Sequence, residues 1–328
     1  MLRIILDTDP GIDDALALFL ALASPDIQLE AITTVSGNVH VDLTTRNALA
    51  LLELAGRTDI PVARGCDRPL VRQPVTADYV HGRNGLGGIE LPEPKLQPIS
   101  QHAVDLIIEK IMAVPGEITL VPIGPLTNIA LALRKEPHIA QHVREVVIMG
   151  GALRVPGNVT PNAEFNIYAD PHAAHIVLHA GWPIRLVTLD VTTKALFQRE
   201  QAQELASTGS PVTRFIQQAV DSYLETFGHS RGLTAFQMHD PLCLAAAFQP
   251  ALITWEPAYV DVELAGTLTS GETVAYFERP ADIDPSLEKR HSANVLASVD
   301  VDAEQFIQLF LDRVKREAKN SPREPGKN

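Results

Sequence analysis

Four carboxylates fall within eight residues near the start of the chain, in the run Leu6-Asp7-Thr8-Asp9-Pro10-Gly11-Ile12-Asp13-Asp14-Ala15. The run links two apolar stretches, Leu2 to Leu6 and Ala15 to Ala23, so it sits where a buried strand turns into a buried helix. Asp13 and Asp14 have an ordinary use as helix-capping and first-turn acids. That use does not reach Asp7 and Asp9, which alternate at the strand end, and Pro10-Gly11 turns Asp9 back toward Asp13 and Asp14. Like charges this close raise one another's pKa unless a cation neutralises them. A hard divalent ion held by oxygen ligands is the chemistry this pattern suits.

Other polar groups stand in revealing company. The loop Gly157 to Asn166 carries Asn158, Asn162, Glu164 and Asn166, a mixture of donors and acceptors that suits a polyhydroxyl ligand, although turn-forming asparagines are also common in solvated loops. Met238-His239-Asp240-Pro241 precedes an apolar helix. Asp240 is either its N-cap, with Pro241 at the first helical position, or a further metal ligand with His239 as an acid or base beside it. The stretch from His81 to Gly88 (HGRNGLGG) lacks a phosphate-cradling spacing and reads as a mobile flap. His172, His175 and His179 recur at helical spacing and could mimic a metal face, but no Asp or Glu is expected to complete it, so a solvated helix surface is expected there and at His138 and His142.

The elements that must position these groups alternate. Strands are expected at Leu2 to Leu6, Leu29 to Val35, Ile60 to Ala63, Ile118 to Ile123, Glu145 to Met149 and Ile184 to Leu189, with a later one at Asn294 to Val299. Helices are expected at Asp13 to Ala23, Arg46 to Ala55, Gln101 to Ala113, Leu126 to Lys135, Pro171 to Ala180, Val212 to Phe227 and Val301 to Val314. Strands that are continuous apolar runs between helices imply an α/β fold, an open and mostly parallel sheet covered on both faces. Tyr259 to Phe277 holds two alternating runs around Thr269-Ser270-Gly271, an added antiparallel hairpin. Beyond the strand ends lie Asp9, Ser36-Gly37-Asn38, Gly124, Gly150-Gly151 and Asp190, where open α/β sheets bind ligands.

The 328 residues are 45% hydrophobic, enough for a large core, and show neither repeat nor long linker. A single domain over residues 1–314 is expected, followed by a polar tail, 315–328, that frays. Lys and Arg number 27 against 40 Asp and Glu, a net charge of −13 that disfavours nucleic acid and anionic membrane as partners. Two cysteines are too few for a disulfide scaffold. The N-terminal apolar run meets Asp7 too early for a signal peptide, and Ala15 to Ala23 is too short to span a bilayer, so a cytoplasmic protein is expected.

DTDPGIDDA (Asp7 to Ala15) resembles the N-terminal signature of the inosine-uridine nucleoside hydrolases. The likeness continues through AITTVSGN (Ala31 to Asn38), the HG pair at His81, LVPIGPLTNIA (Leu120 to Ala130), VVIMGG (Val146 to Gly151), GNVTPNAEFN (Gly157 to Asn166) and MHDP (Met238 to Pro241). The resemblance implies a calcium-dependent ribonucleoside hydrolase with a Rossmann-like sheet, assembled as a homodimer or homotetramer. It implies Ca²⁺ ligation by Asp9, Asp14 and Asp240 with the Ile123 main-chain carbonyl. Asp13, Asn158, Glu164 and Asn166 match ribose-binding positions, Met149 contributes backbone, and Asn38 lies beside the metal. His81 and His239 match base-side positions, with His239 resembling the acid that assists the leaving base, and Asp9 would take a proton from the attacking water. Three carboxylates, a carbonyl, a water and two ribose hydroxyls reach the seven or eight oxygens that Ca²⁺ accepts. Arg83-Asn84 departs from the acid and small polar pair usual in the family's flap.

Two other readings remain at this level. An Asp-x-Asp at the end of the first strand also suits a Mg²⁺-dependent phosphatase of the haloacid dehalogenase type, with Asp7 as nucleophile and Lys194 as a candidate lysine, although the acidic loop that this reading needs does not accompany it. A nonenzymatic nucleoside-binding protein would keep the sugar contacts without needing Asp9 or His239.

Overall fold

Apolar runs become strands here because every face they present is covered. The computed structural model describes residues 1–277 and 292–320, with eleven strands among them. They are β1 (Leu2–Thr8), β2 (Ile27–Thr34), β3 (Val62–Arg64), β4 (Ile118–Pro122), β5 (Glu145–Met149), β6 (Ile184–Val187), β7 (Leu196–Gln198), β8 (Ala235–Gln237), β9 (Ile253–Val262), β10 (Thr273–Phe277) and β11 (Val295–Val301). Nine form one sheet in the order β10-β9-β11-β6-β5-β4-β1-β2-β3. Pairing is parallel from β3 through β11, whereas β9 runs antiparallel to both β11 and β10. The expected α/β architecture and the added hairpin are thus both present.

Side chains on β1 alternate between two cores. Ile4 and Leu6 join a cluster with the helices Ile12–Ala23 (α1), Val41–Leu54 (α2), Pro211–Tyr223 and His239–Phe248, while Ile5 joins another with Ala103–Ala113, Thr127–Lys135 and Pro171–Leu178. In α1 only Leu22 escapes full burial, which is why its sequence is apolar nearly all round. Truncating a fully buried leucine there, such as Leu16, should cost about 2–5 kcal/mol. Its deep anchorage makes the loop before it a rigid support.

The departures from expectation are local. α2 starts at Val41 rather than Arg46, because Thr44 and Thr45 turn their hydroxyls back onto the Val41 carbonyl instead of breaking the helix. The helix expected to reach Phe227 is α-helical only to Tyr223 and continues as a π turn, Leu224–Gly228. β7 and β8 pair as a separate small antiparallel sheet that no sequence pattern announces. The last helix, Ala303–Asn320, runs six residues into the segment expected to fray, and 321–328 lie outside the described residues. No helix among the described residues is long and apolar enough to cross a membrane.

Candidate active site

The strand order reverses between β1 and β4, and the chain leaves these neighbours toward opposite sides of the sheet. Such a switch point opens a crevice beyond the strand ends, and Asp9 follows β1 there while Ile123-Gly124 follows β4. A cavity of about 350 Å³ occupies the crevice, a size suited to a small molecule. Its lining includes Asp13, Asn38, His81, Ile123, Met149, Asn158, Glu164, Asn166, His239 and Asp240. Asp9 and Asp14, each 1% exposed, lie beneath that lining.

Asp14 is the most heavily held of the acids. It accepts hydrogen bonds from Thr8 Oγ1 at 2.5 Å, the Gly11 N–H at 2.9 Å, Asn38 Nδ2 at 3.0 Å and the Asp9 N–H at 3.2 Å. The capping role therefore exists, but it belongs to Asp14 alone. Asp9 Oδ2 accepts the Asn38 N–H at 2.7 Å, while Asp9 Oδ1 is buried with no hydrogen-bond partner among the described residues. Gly37 and Gly124 leave Asp9 this room, since a Cβ would come within 2.0 Å of Oδ2 at the first and 2.3 Å of Oδ1 at the second. Asp240 does not cap its helix, which begins one residue earlier at His239 with Met238 as the cap. Its carboxylate is instead grouped with Asp13 and Asp14, one oxygen from each lying within 4.8 Å of the others.

Burial and then mutual repulsion push Asp9, Asp13 and Asp240 above the usual carboxylate range, and burial raises Asp14 despite its donors. Four carboxylates cannot all stay charged here uncompensated, and an orphaned buried oxygen is costly. A divalent cation would resolve both conditions, so the donor set fits one. The Ile123 carbonyl reaches the same crevice, where it accepts Asn166 Nδ2 at 2.8 Å.

The opposite wall is built by a capped helix turn. Glu164 caps Phe165–Ala169, accepting the Asn166 N–H at 2.8 Å and the Ile167 N–H at 3.1 Å, and it also takes the Gly151 N–H at 3.0 Å. Asn158 Oδ1 accepts the Phe165 N–H at 2.9 Å, and Asn166 Nδ2 also reaches the Met149 carbonyl at 3.3 Å. The loop from Gly157 is therefore folded onto the β5 end rather than solvated.

Both histidines are neutral in this setting. His81 Nδ1 accepts the Ile12 N–H at 3.1 Å, so the ring proton sits on Nε2, and burial with the neighbouring His239 lowers its pKa to about 3. His239 Nδ1 lies 2.7 Å from Thr192 Oγ1, and burial brings its pKa down to about 4 rather than leaving the near-neutral value of a free imidazole. The glycine-rich stretch after His81 is pinned rather than loose. Asn84 Oδ1 accepts the Leu86 and Gly88 N–H groups, Asn47 Nδ2 donates to the Asn84 carbonyl, and Ser222 Oγ donates to the Gly87 carbonyl. Arg83 is exposed and absent from the cavity lining.

Two features escaped the sequence. Tyr79, Tyr223, Phe227 and Phe236 form an aromatic side to the cavity, with ring centroids 4.8 to 6.3 Å apart from one to the next. The π turn after Tyr223 offsets the helical repeat that would have revealed it. Asp7, the first acid of the motif, does not line the cavity. It accepts Thr33 Oγ1 from β2 and Asn128 Nδ2 from the helix Thr127–Lys135, with its pKa raised to about 7 by burial, so the nucleophile of the phosphatase reading is walled off.

Fold and cavity together define an α/β protein with a candidate ligand site at the topological switch point. A family model described as inosine-uridine preferring nucleoside hydrolase matches residues 4–308, and the chain belongs to that family. It is 43% identical over 316 residues to the inosine-uridine preferring nucleoside hydrolase of Crithidia fasciculata, covering 96% of this chain and 98% of the relative. It is 41% identical over 314 residues to the pyrimidine-specific ribonucleoside hydrolase RihA of Citrobacter koseri, covering 95% and 98%. The solved purine-preferring ribonucleoside hydrolase from Gardnerella vaginalis superposes with a TM-score of 0.90 at 32% identity, covering 97% of this chain and all of that one. The protein is a hydrolase acting on N-glycosyl bonds of ribonucleosides.

Proposed function

We propose that the chain hydrolyses both purine and pyrimidine ribonucleosides with Ca²⁺ as its metal, held by Asp9, Asp14, Asp240 and the Ile123 carbonyl. The unpartnered, buried Asp9 Oδ1 within the acidic cluster carries this reading. Oxygen-only donors favour a hard ion, and the number available from protein, water and a ribose diol suits Ca²⁺ better than Mg²⁺. Once bound, the ion supplies Lewis acidity that acidifies water and gathers the ribose hydroxyls.

The remaining steps belong to side chains. Asp13, Asn158, Glu164 and Asn166 orient the ribose and stabilise the positive charge that develops at its anomeric carbon, as in other glycoside hydrolyses. Asp9 accepts the proton of the attacking water, whose oxygen bonds to that carbon as the C–N bond breaks. The electron pair of that bond leaves with the base, which stacks on the aromatic side and receives a hydrogen bond from the neutral His239 ring. His81 flanks it. The relatives are named for inosine-uridine, pyrimidine and purine preferences, a spread that favours a broad substrate range here. The test is hydrolysis of uridine and inosine after exhaustive chelation. Both rates should vanish and return with Ca²⁺ more fully than with Mg²⁺, and full activity in metal-free protein would overturn the assignment.

A further inference from the structure

Outside the catalytic cavity a second set of metal-binding side chains converges, and folding is what assembles it. His175 and His179 stand one helical turn apart at the C-terminal end of Pro171–Leu178. Across from them β9 places Asp261, 82 residues beyond His179 in the chain, which supplies the carboxylate that the helix lacks. His175 Nδ1 lies 2.7 Å from Asp261 Oδ1, and His179 Nε2 lies 3.8 Å from Asp261 Oδ2. One donor atom from each of the three residues falls within 4.8 Å of the others. None of the three lines the catalytic cavity.

From this geometry we propose that His175, His179 and Asp261 form a binding site for a borderline transition ion, zinc above all. A tetrahedral zinc with bonds of about 2.0–2.2 Å needs ligand atoms about 3.3 Å apart, and the two separations bracket that value. Two imidazoles and one carboxylate select zinc, nickel or copper over calcium and magnesium. The surroundings are arranged as metal sites require. His179 Nδ1 lies 2.9 Å from the His175 carbonyl, which holds that ring in the tautomer whose Nε2 lone pair faces Asp261. Tyr259 Oη donates to Asp261 Oδ2 at 3.3 Å and so serves as an outer partner to that carboxylate, while its contact with His179 Nε2 at 3.2 Å is one that a bound ion would replace. The negative end of the helix dipole favours a cation at this terminus. His175 and His179 also border a groove shared with Leu133, Arg134 and Pro137, which gives an ion a route to them from solvent. A bound ion would tie the helix to β9.

Zinc titration of the chelated, full-length protein, with saturating Ca²⁺ present to block the acidic cluster, tests the proposal. One equivalent of Zn²⁺ should bind and raise the melting temperature. His179→Ala and Asp261→Asn should each lose more affinity than the roughly 10–100-fold typical of an outer-partner mutation. Uridine hydrolysis under Ca²⁺ should be unchanged in both. His179→Gln, which keeps the side chain's bulk, guards against loss of folding and should lose zinc equally. No zinc equivalent beyond those that Ca²⁺ displaces, or equal zinc binding in wild type and folded variants, would overturn the site.

Discussion

Alanine at Gly124 should disable the site while adding only one methyl group. Its Cβ would stand 2.3 Å from Asp9 Oδ1, where ordinary contact begins at 3.4 Å, so the carboxylate must withdraw by about 1 Å. Retreat is blocked, because Asp9 Oδ2 is held by the Asn38 N–H at 2.7 Å and already fills the space over Gly37. Gly124 has no positive φ, so the substitution strains no backbone. A misplacement of about 1 Å at a reacting group can cost about 100-fold, equivalent to about 2.7 kcal/mol of activation free energy. Overpacking a tight interior costs about 1–3 kcal/mol of stability, which lowers the melting temperature without unfolding the protein at 25 °C. The assay is steady-state hydrolysis of uridine and inosine beside a thermal melt, with both kcat/KM values falling together. A folded Gly124→Ala protein within roughly threefold of wild-type kcat/KM would refute the placement of Asp9 at the reacting centre.

Four further outcomes follow from the structure. Uridine should exceed 2′-deoxyuridine in kcat/KM by up to about 10⁴–10⁵-fold, because a missing hydroxyl leaves buried polar groups unpaired, and comparable values would refute the ribose assignments. His239→Ala should slow inosine far more than a p-nitrophenyl riboside, whose leaving group departs without help, and equal slowing would remove His239 from the leaving-group role. Cys66, its thiol pushed up to about 12 by burial and nearby acids, and the fully buried Cys243 should resist thiol reagents at pH 8 until the protein unfolds. An unfolded thiol ionises near pH 8.5–9, so Cys66 should support stability below that pH and lose this support progressively toward pH 12, a trend that urea melts across the range would reveal.

The sheet was legible because each parallel strand is buried on both faces and therefore written as a continuous apolar run, as in Ile118–Pro122 and Glu145–Met149. The acidic cluster was legible because four carboxylates between two buried elements violate ordinary surface usage. What lay hidden depends on small register choices or distant pairings. Whether Asp240 caps or faces the cavity turns on a helix beginning two residues earlier than a cap at Asp240 would start it. Asp7 and Asp9 look equivalent in the sequence, but β1 ends at Thr8, so Asp7 is still held in the strand against Thr33 and Asn128 while Asp9 lies past its end and is free of the strand's alternation. Histidines 175 and 179 looked incomplete because their carboxylate comes from another strand. The glycine-rich stretch looked mobile because the anchors that hold it, Asn47 and Ser222, lie far away along the chain.

The π turn at Leu224–Gly228 has a corollary for the shape of the cavity. An i→i+5 turn holds one residue more than an α turn, and each helical residue advances about 100° around the axis. Deleting a single residue there would restore the α repeat and shift Phe227 relative to Tyr79 and Tyr223, which its ring now meets. The carboxylates beneath the sheet's crevice are anchored by other elements and would not feel the change. A one-residue insertion or deletion at this turn therefore reshapes the aromatic side of the cavity while the anchors of the acidic cluster stay in place.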